Sequence, residues 1–231
     1  MDDKRGVRIG TWMGVVFVVL LFVGEVLGGD THPPANAPRD TIVSFFATNQ
    51  TGQLAGSYVQ AVALMLLLVF LASIGTILIA AGQRLLAVLE LAGSVVAVGI
   101  FLLYLGLTAA IAFGNPAEKD PQAVQVLYHA RFLAETFFSF PVTLLVAATA
   151  IGSMRIRVFP RWYSWFSVAV AVAFLVGGAD MAPSGFFAPD GDYGFILFWL
   201  FPLWVILTGV QFRRRADTVM LSERAKAPPE A

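Results

Sequence analysis

The chain has 231 residues, of which 58% are hydrophobic and 13% charged, with a mean hydropathy of +0.78, whereas ordinary soluble domains carry roughly 25% charged residues. Lipid rather than water is the solvent that suits this composition. A formal net charge of zero argues against nucleic acid as a partner, and the absence of cysteine excludes disulfides, thiolate metal sites and cysteine nucleophiles.

A hydrocarbon core about 30 Å thick is crossed by roughly 20 helical residues rising about 1.5 Å each. Six apolar stretches meet that length, at 9–28, 55–81, 84–113, 132–153, 162–182 and 193–212. The first follows Lys4, Arg5 and Arg8, but it exceeds the roughly 7–15 apolar residues of a cleaved secretion signal and is read as a retained helix. Its Gly10, Gly14, Gly24 and Gly28 offer small faces for close helix packing within the chain. Residues 31–38 are proline-rich and extended. Asp40 or Thr41 then caps a short amphipathic helix carrying Ile42, Val43, Phe45 and Phe46, which Gly52 ends. Between 61 and 113 only Gly82, Gln83 and Arg84 interrupt the apolar run, which is too long for one span, so a hairpin at Gly82 is required. An amphipathic lead-in from Gln122 enters the fourth span, where Pro141 predicts a kink. The fifth and sixth spans are joined by an aromatic turn containing Phe186, Phe187 and Tyr193, and a polar tail, expected to be mobile, occupies 216–231 after a single transmembrane domain over 1–215. The runs lack the alternation of barrel strands, so the fold class is all-α, a polytopic membrane helix bundle.

With the N-terminus in the cytoplasm, twelve of the fifteen basic residues fall on the inner side, and only Arg39, Lys119 and Arg131 fall outside. That satisfies the positive-inside rule at every loop and places both termini in the cytoplasm. The acids gather on the outer side: Asp30, Asp40, Glu118, Asp120, Asp190 and Asp192 in loops, and Glu25, Glu135 and Asp180 at helix ends.

Counting along the helices puts Glu25, Glu135 and Asp180 at one depth, with His129 and Arg131 beside them and Arg131 one turn from Glu135. Phe45, Phe46, Phe138, Phe186 and Phe187 belong to the same boundary. Together they define a candidate outer pocket, set against the plainer reading of interfacial acids that reach water independently. Glu90 lies about 9 Å past Arg84. An acid at that depth calls for a partner: Arg84, Arg155 or Arg157 by charge, or Ser73 or Thr76 by hydrogen bond. No metal or cofactor motif is present.

The segment 40–49 (DTIVSFFATN), the segment 160–165 (PRWYSW), and the last helix with Trp204 closing on Arg213, Arg214 and Arg215 together resemble a loosely defined group of actinobacterial multi-pass membrane proteins. The resemblance implies a bacterial plasma-membrane location and brings no activity, substrate or site residue with it. The function expected is a non-enzymatic protein that binds a lipid or another apolar ligand, or serves as accessory partner to another membrane protein. The alternatives are a small proton- or cation-coupled transporter using Glu90 and a membrane enzyme at the Glu25, His129, Glu135 and Asp180 level.

Overall fold

The computed structural model describes residues 3–29, 32–156, 159–179, 185–188 and 191–224, with side chains described from 9 to 214 of these. Among them the chain is all helical: α1 (Asp3–Gly28), α2 (Arg39–Thr48), α3 (Gln50–Ala80), α4 (Arg84–Ala112), a 3-10 turn (Pro116–Glu118), α5 (Pro121–Ile156), α6 (Arg161–Gly177) and α7 (Asp192–Arg224). Five of the helices, all but α2 and α6, are long and apolar enough to cross a membrane. The protein is therefore a membrane-embedded helical bundle.

Several boundaries depart from the sequence reading. The expected span 162–182 is only 17 residues of helix, about 26 Å of rise, because Gly177 and Gly178 end α6 and the chain turns there. By contrast, α3 starts at Gln50, continuing from α2 across Asn49, so Gly52 lies inside a helix instead of ending one. The cap of α2 is Pro38, with no side-chain cap bond, and not Asp40 or Thr41. Proline at that position presets the dihedral that helix entry needs. α7 runs on helically through Arg224, past Arg215. Asp30, Arg157, Asp180 and Asp190 lie outside the described residues.

The long helices close a ring in the order α1, α3, α4, α5, α6, α7 and back to α1, with α3 also touching α7 across it. α2 lies over one end, packed chiefly on α5 through Ile42 and Phe46. That end is called the α2 end below. The opposite end carries the α3–α4 hairpin, where Gly82 takes φ +76° and its neighbours Ala81 and Gln83 complete the turn.

The α1–α3 crossing is built on glycine. A Cβ on Gly24 would stand 2.9 Å from the Gly56 carbonyl oxygen, and one on Gly56 would stand 2.5 Å from that of Gly24. Gly10 faces Ser73, Gly14 faces Phe70, and Gly52 faces the Leu27 carbonyl. The small faces expected in the first helix thus serve packing inside the chain, where close backbone approach maximises dispersion contact. On the α5 side, Gly93 of α4 fits against the Pro141 carbonyl and Leu145 amide of α5.

Buried polar handles inside the ring find partners. Trp204 Nε1 donates to Ser167 Oγ at 3.1 Å, Tyr163 Oη donates to Thr208 Oγ1 at 2.9 Å, and the hydroxyls of Ser153 and Ser164 share a bond at 2.7 Å. At the end opposite α2, Arg213 lies 4.6 Å from the Trp12 ring centroid, a cation–π pair.

Candidate functional site

The α2 end joins two unlike environments. The first is polar and centres on Tyr104 of α4. Arg131 of α5, 3% exposed, donates from Nη2 to Tyr104 Oη at 2.6 Å. Its guanidinium carbon lies 4.6, 5.4 and 5.3 Å from the ring centroids of Tyr104, Tyr128 and Phe132. Such a cage replaces part of the lost hydration of a buried cation, yet Nε and Nη1 make no hydrogen bond. Glu135 and Glu25 also lie within electrostatic reach of Tyr104. Glu25 is held by Gln60 of α3, whose Nε2 donates to its Oε2 at 3.0 Å.

The extended segment before α2 folds down onto this cluster. Tyr128 Oη donates to the Pro33 carbonyl, and His32 bonds through Nε2 to Gln53 Oε1 at 3.1 Å while its ring packs on Phe45 and Phe46 at 5.2 and 6.3 Å. Burial, aided by the Arg131 charge and only partly opposed by the Gln53 bond, lowers the His32 pKa to about 3. The imidazole is therefore neutral through the physiological range.

The second environment is an apolar cavity of about 90 Å³ in the same half of the bundle, walled by all six long helices. Phe17, Leu67, Phe101, Phe174 and Phe201 form its apolar surface, and Glu135, Thr136 and Ser139 give α5 a polar edge along it. Glu135 thus stands between the Tyr104 cluster and the cavity.

Among the described residues, the sequence-derived candidates do not form one pocket. Glu25, Arg131 and Glu135 converge electrostatically on Tyr104. Glu135, one turn from Arg131, acts on it through its charge, while Arg131 Nη2 donates to Tyr104 Oη. His129 is exposed and bonds the Ala35 carbonyl at 3.2 Å, on the surface side of α5. The phenylalanines divide three ways: Phe45 and Phe46 enclose His32, Phe138 packs inside the ring on Phe101 and Phe201, and Phe186 and Phe187 form a separate exposed cluster with Tyr193. Their rings belong to separate layers because α2 is tied to α5 while the α6–α7 turn folds on itself.

Glu90 is fully buried between α3 and α4, as an interior acid should be, but of its expected partners none among the described residues is used, Arg157 lying outside them. Ser94, one turn along the same helix, bonds Oε1 at 3.2 Å, and Oε2 faces Gly75 without a hydrogen bond. Ser73 and Thr76 bond their own helix at Val69 and Ala72, and Arg155 bonds Gln83. Helix-internal bonds are available at no extra ordering cost, which is why they prevail.

Tyr104, Gln53, Ser57 and Gln60 escaped the sequence reading. Gln53, Ser57 and Gln60 recur at spacings of four and three, one face of a helix that is otherwise apolar. That polar stripe was the available signal. No protein family, curated protein or solved structure matches the chain. Fold and site define its class: a membrane-embedded helical bundle with a capped polar cluster beside an apolar cavity.

Proposed function

We propose that the protein is a six-span plasma-membrane protein with both termini in the cytoplasm and the α2 end outward, and that it binds a lipid or another slender apolar molecule without catalysing a reaction. The observation that carries the reading is the apolar cavity walled by six helices with a polar edge at Glu135 and Ser139. Ligand sites are mostly apolar concavities with a few polar groups that orient the guest. A cavity of about 90 Å³ takes one aliphatic chain segment and not a fused-ring molecule; an engineered apolar cavity of about 150 Å³ holds benzene. α6, at 17 residues, spans by virtue of its packing on α5 and α7 and local thinning of the bilayer. An accessory role in a membrane complex fits the same surface chemistry.

Mass spectrometry of lipid extracted from the purified protein tests the binding. Leu67, 1% exposed on the cavity wall, is the residue to enlarge: Leu67→Trp is expected to reduce the co-purifying apolar species at least tenfold. Leu85→Trp, at a position 71% exposed at the hairpin end, is expected to leave it unchanged. A wild-type protein that carries no more lipid than Leu67→Trp ends the proposal.

Orientation is read by cysteine labelling, since the chain has no native cysteine. Lys119→Cys is expected to react with an impermeant thiol reagent from outside intact cells, and Gln83→Cys only after lysis. The reverse pattern inverts the topology.

A further inference from the structure

A second cavity, of about 20 Å³, lies between α1, α3 and α4 at the α2 end, lined among others by Glu25, Gln53, Ser57, Gln60, Tyr104 and Thr108. Ser57 and Gln60 are 9% and 7% exposed. The Gln60 amide is oriented by its donor side: Nε2 bonds the Leu21 carbonyl at 3.5 Å and Glu25 Oε2 at 3.0 Å, so Oε1 turns the other way. Among the described residues, neither Gln60 Oε1 nor Ser57 Oγ has a hydrogen-bond partner, and neither is sealed off by neighbouring atoms. Both belong to side chains that line the cavity. Thr108 Oγ1 donates its hydrogen to the Tyr104 carbonyl at 2.9 Å, leaving only lone pairs to offer. Gln53 is oriented likewise, its Nε2 on the Gly28 carbonyl at 2.7 Å.

The groups offered to a guest are therefore mostly acceptors: the Glu25 carboxylate, the Gln60 amide oxygen and two hydroxyls, beside a Gln53 amide oxygen already bonded to His32 Nε2 on the same wall, the donor set of a hard cation. The space admits a guest of atomic size, since about 10–15 Å³ accommodates one water. Among the described residues no three His, Cys, Asp or Glu side chains converge, so the set does not suit a transition metal. Charge points the same way. The charged groups that meet at Tyr104 are two carboxylates, Glu25 and Glu135, against one guanidinium, Arg131, with His32 neutral. Glu25 supplies the one carboxylate on the cavity wall, so a single monovalent cation is the guest whose charge it matches.

We propose that this cavity binds one alkali cation, sodium, between the Gly-packed α1–α3 pair and α4. The proposal is independent of the apolar ligand. Arg131, behind Tyr104 and engaged by its hydroxyl, limits the site to one charge.

The test uses the full-length protein purified in detergent in choline chloride, with sodium exchanged for choline at constant ionic strength and unfolding followed by tryptophan fluorescence. A saturable rise in Tm of roughly 4–8 °C is expected with sodium, and a smaller one with potassium. Ser57→Ala is expected to weaken the apparent sodium affinity about tenfold, the loss of roughly 1.4 kcal/mol of binding. Ser73→Ala, whose hydroxyl bonds its own helix at Val69, is expected to keep the wild-type response. Equal Tm in sodium and choline would show that the cavity holds water only and overturn the proposal. So would a sodium response that Ser57→Ala leaves intact, and a preference for potassium would overturn the choice of ion.

Discussion

Replacing Gly56 by leucine is expected to prevent α1 from seating on α3 and to cost most of the stability of the folded bundle. A Cβ there would meet the Gly24 carbonyl oxygen at 2.5 Å and the Gly28 amide nitrogen at 3.1 Å. Both are backbone atoms, which cannot rotate aside as a side chain can. α1 would have to withdraw as a body, opening the neighbouring contacts at Gly52 and Gly24 together. Overpacking at yielding sites costs about 1–3 kcal/mol; here the neighbours do not yield, and a loss above about 4 kcal/mol is expected. Gly99 and Gly106 of α4 are the controls, because nothing lies within 4 Å of a Cβ at either. Leucine at those positions is expected to be neutral or to stabilise by up to about 1 kcal/mol through helix propensity. Thermal unfolding in detergent separates the two cases, and similar Tm values for Gly56→Leu and Gly99→Leu would refute the crossing described above.

The second large effect concerns Arg131. Its Nη2 donates to Tyr104 Oη while Nε and Nη1 make no hydrogen bond, so Tyr104→Phe takes that bond from a guanidinium 3% exposed with rings around it. Hydrogen bonds to charged groups are worth about 1.5–3 kcal/mol, and a buried ion stripped of its partner costs about 3–5 kcal/mol. A loss of about 2–4 kcal/mol is expected, since the three rings still face the cation. Arg131→Met removes the charge with the need for a partner, and its thioether packs well against aromatic rings. It is expected to cost less than Tyr104→Phe. The order of the two Tm values is the measurement; a more damaging Arg131→Met would mean that the charge supports the fold through contacts other than Tyr104.

The parts of this architecture that depend on chain-local physics were legible in the residues alone. The hairpin had to fall at Gly82, because no single helix can use the apolar residues on both sides of it. The short helix carrying Phe45 and Phe46 announced itself by its place between a proline-rich segment and a long apolar run, and Gly24 and Gly28 marked a close crossing. What was not legible depends on which helix faces which. Arg131 looked bound to Glu135 because they lie one turn apart, but the hydroxyl brought by α4 reaches Nη2. Glu90 drew long-range partners on paper and a helix-internal serine in the fold. Tyr104 read as one more ring in an apolar helix until α5 packed beside it. Counting depth assigned the acids and these phenylalanines to one level; only packing could tell that Phe186 and Phe187 cluster with Tyr193.

The tight turn between α3 and α4 also bears on how Glu90 is accommodated. Ala81, Gly82 and Gln83 are all that separate a 31-residue helix from a 29-residue one, and three extended residues reach only about 11 Å. A connection that short keeps the two helices antiparallel neighbours from the turn onward. The Gly75 notch lies opposite Glu90 across this hairpin, so the buried carboxyl finds its space within a sequence-local pair of helices. The shortness of one connection thus brings the acid and the glycine that makes room for it together without help from the rest of the chain.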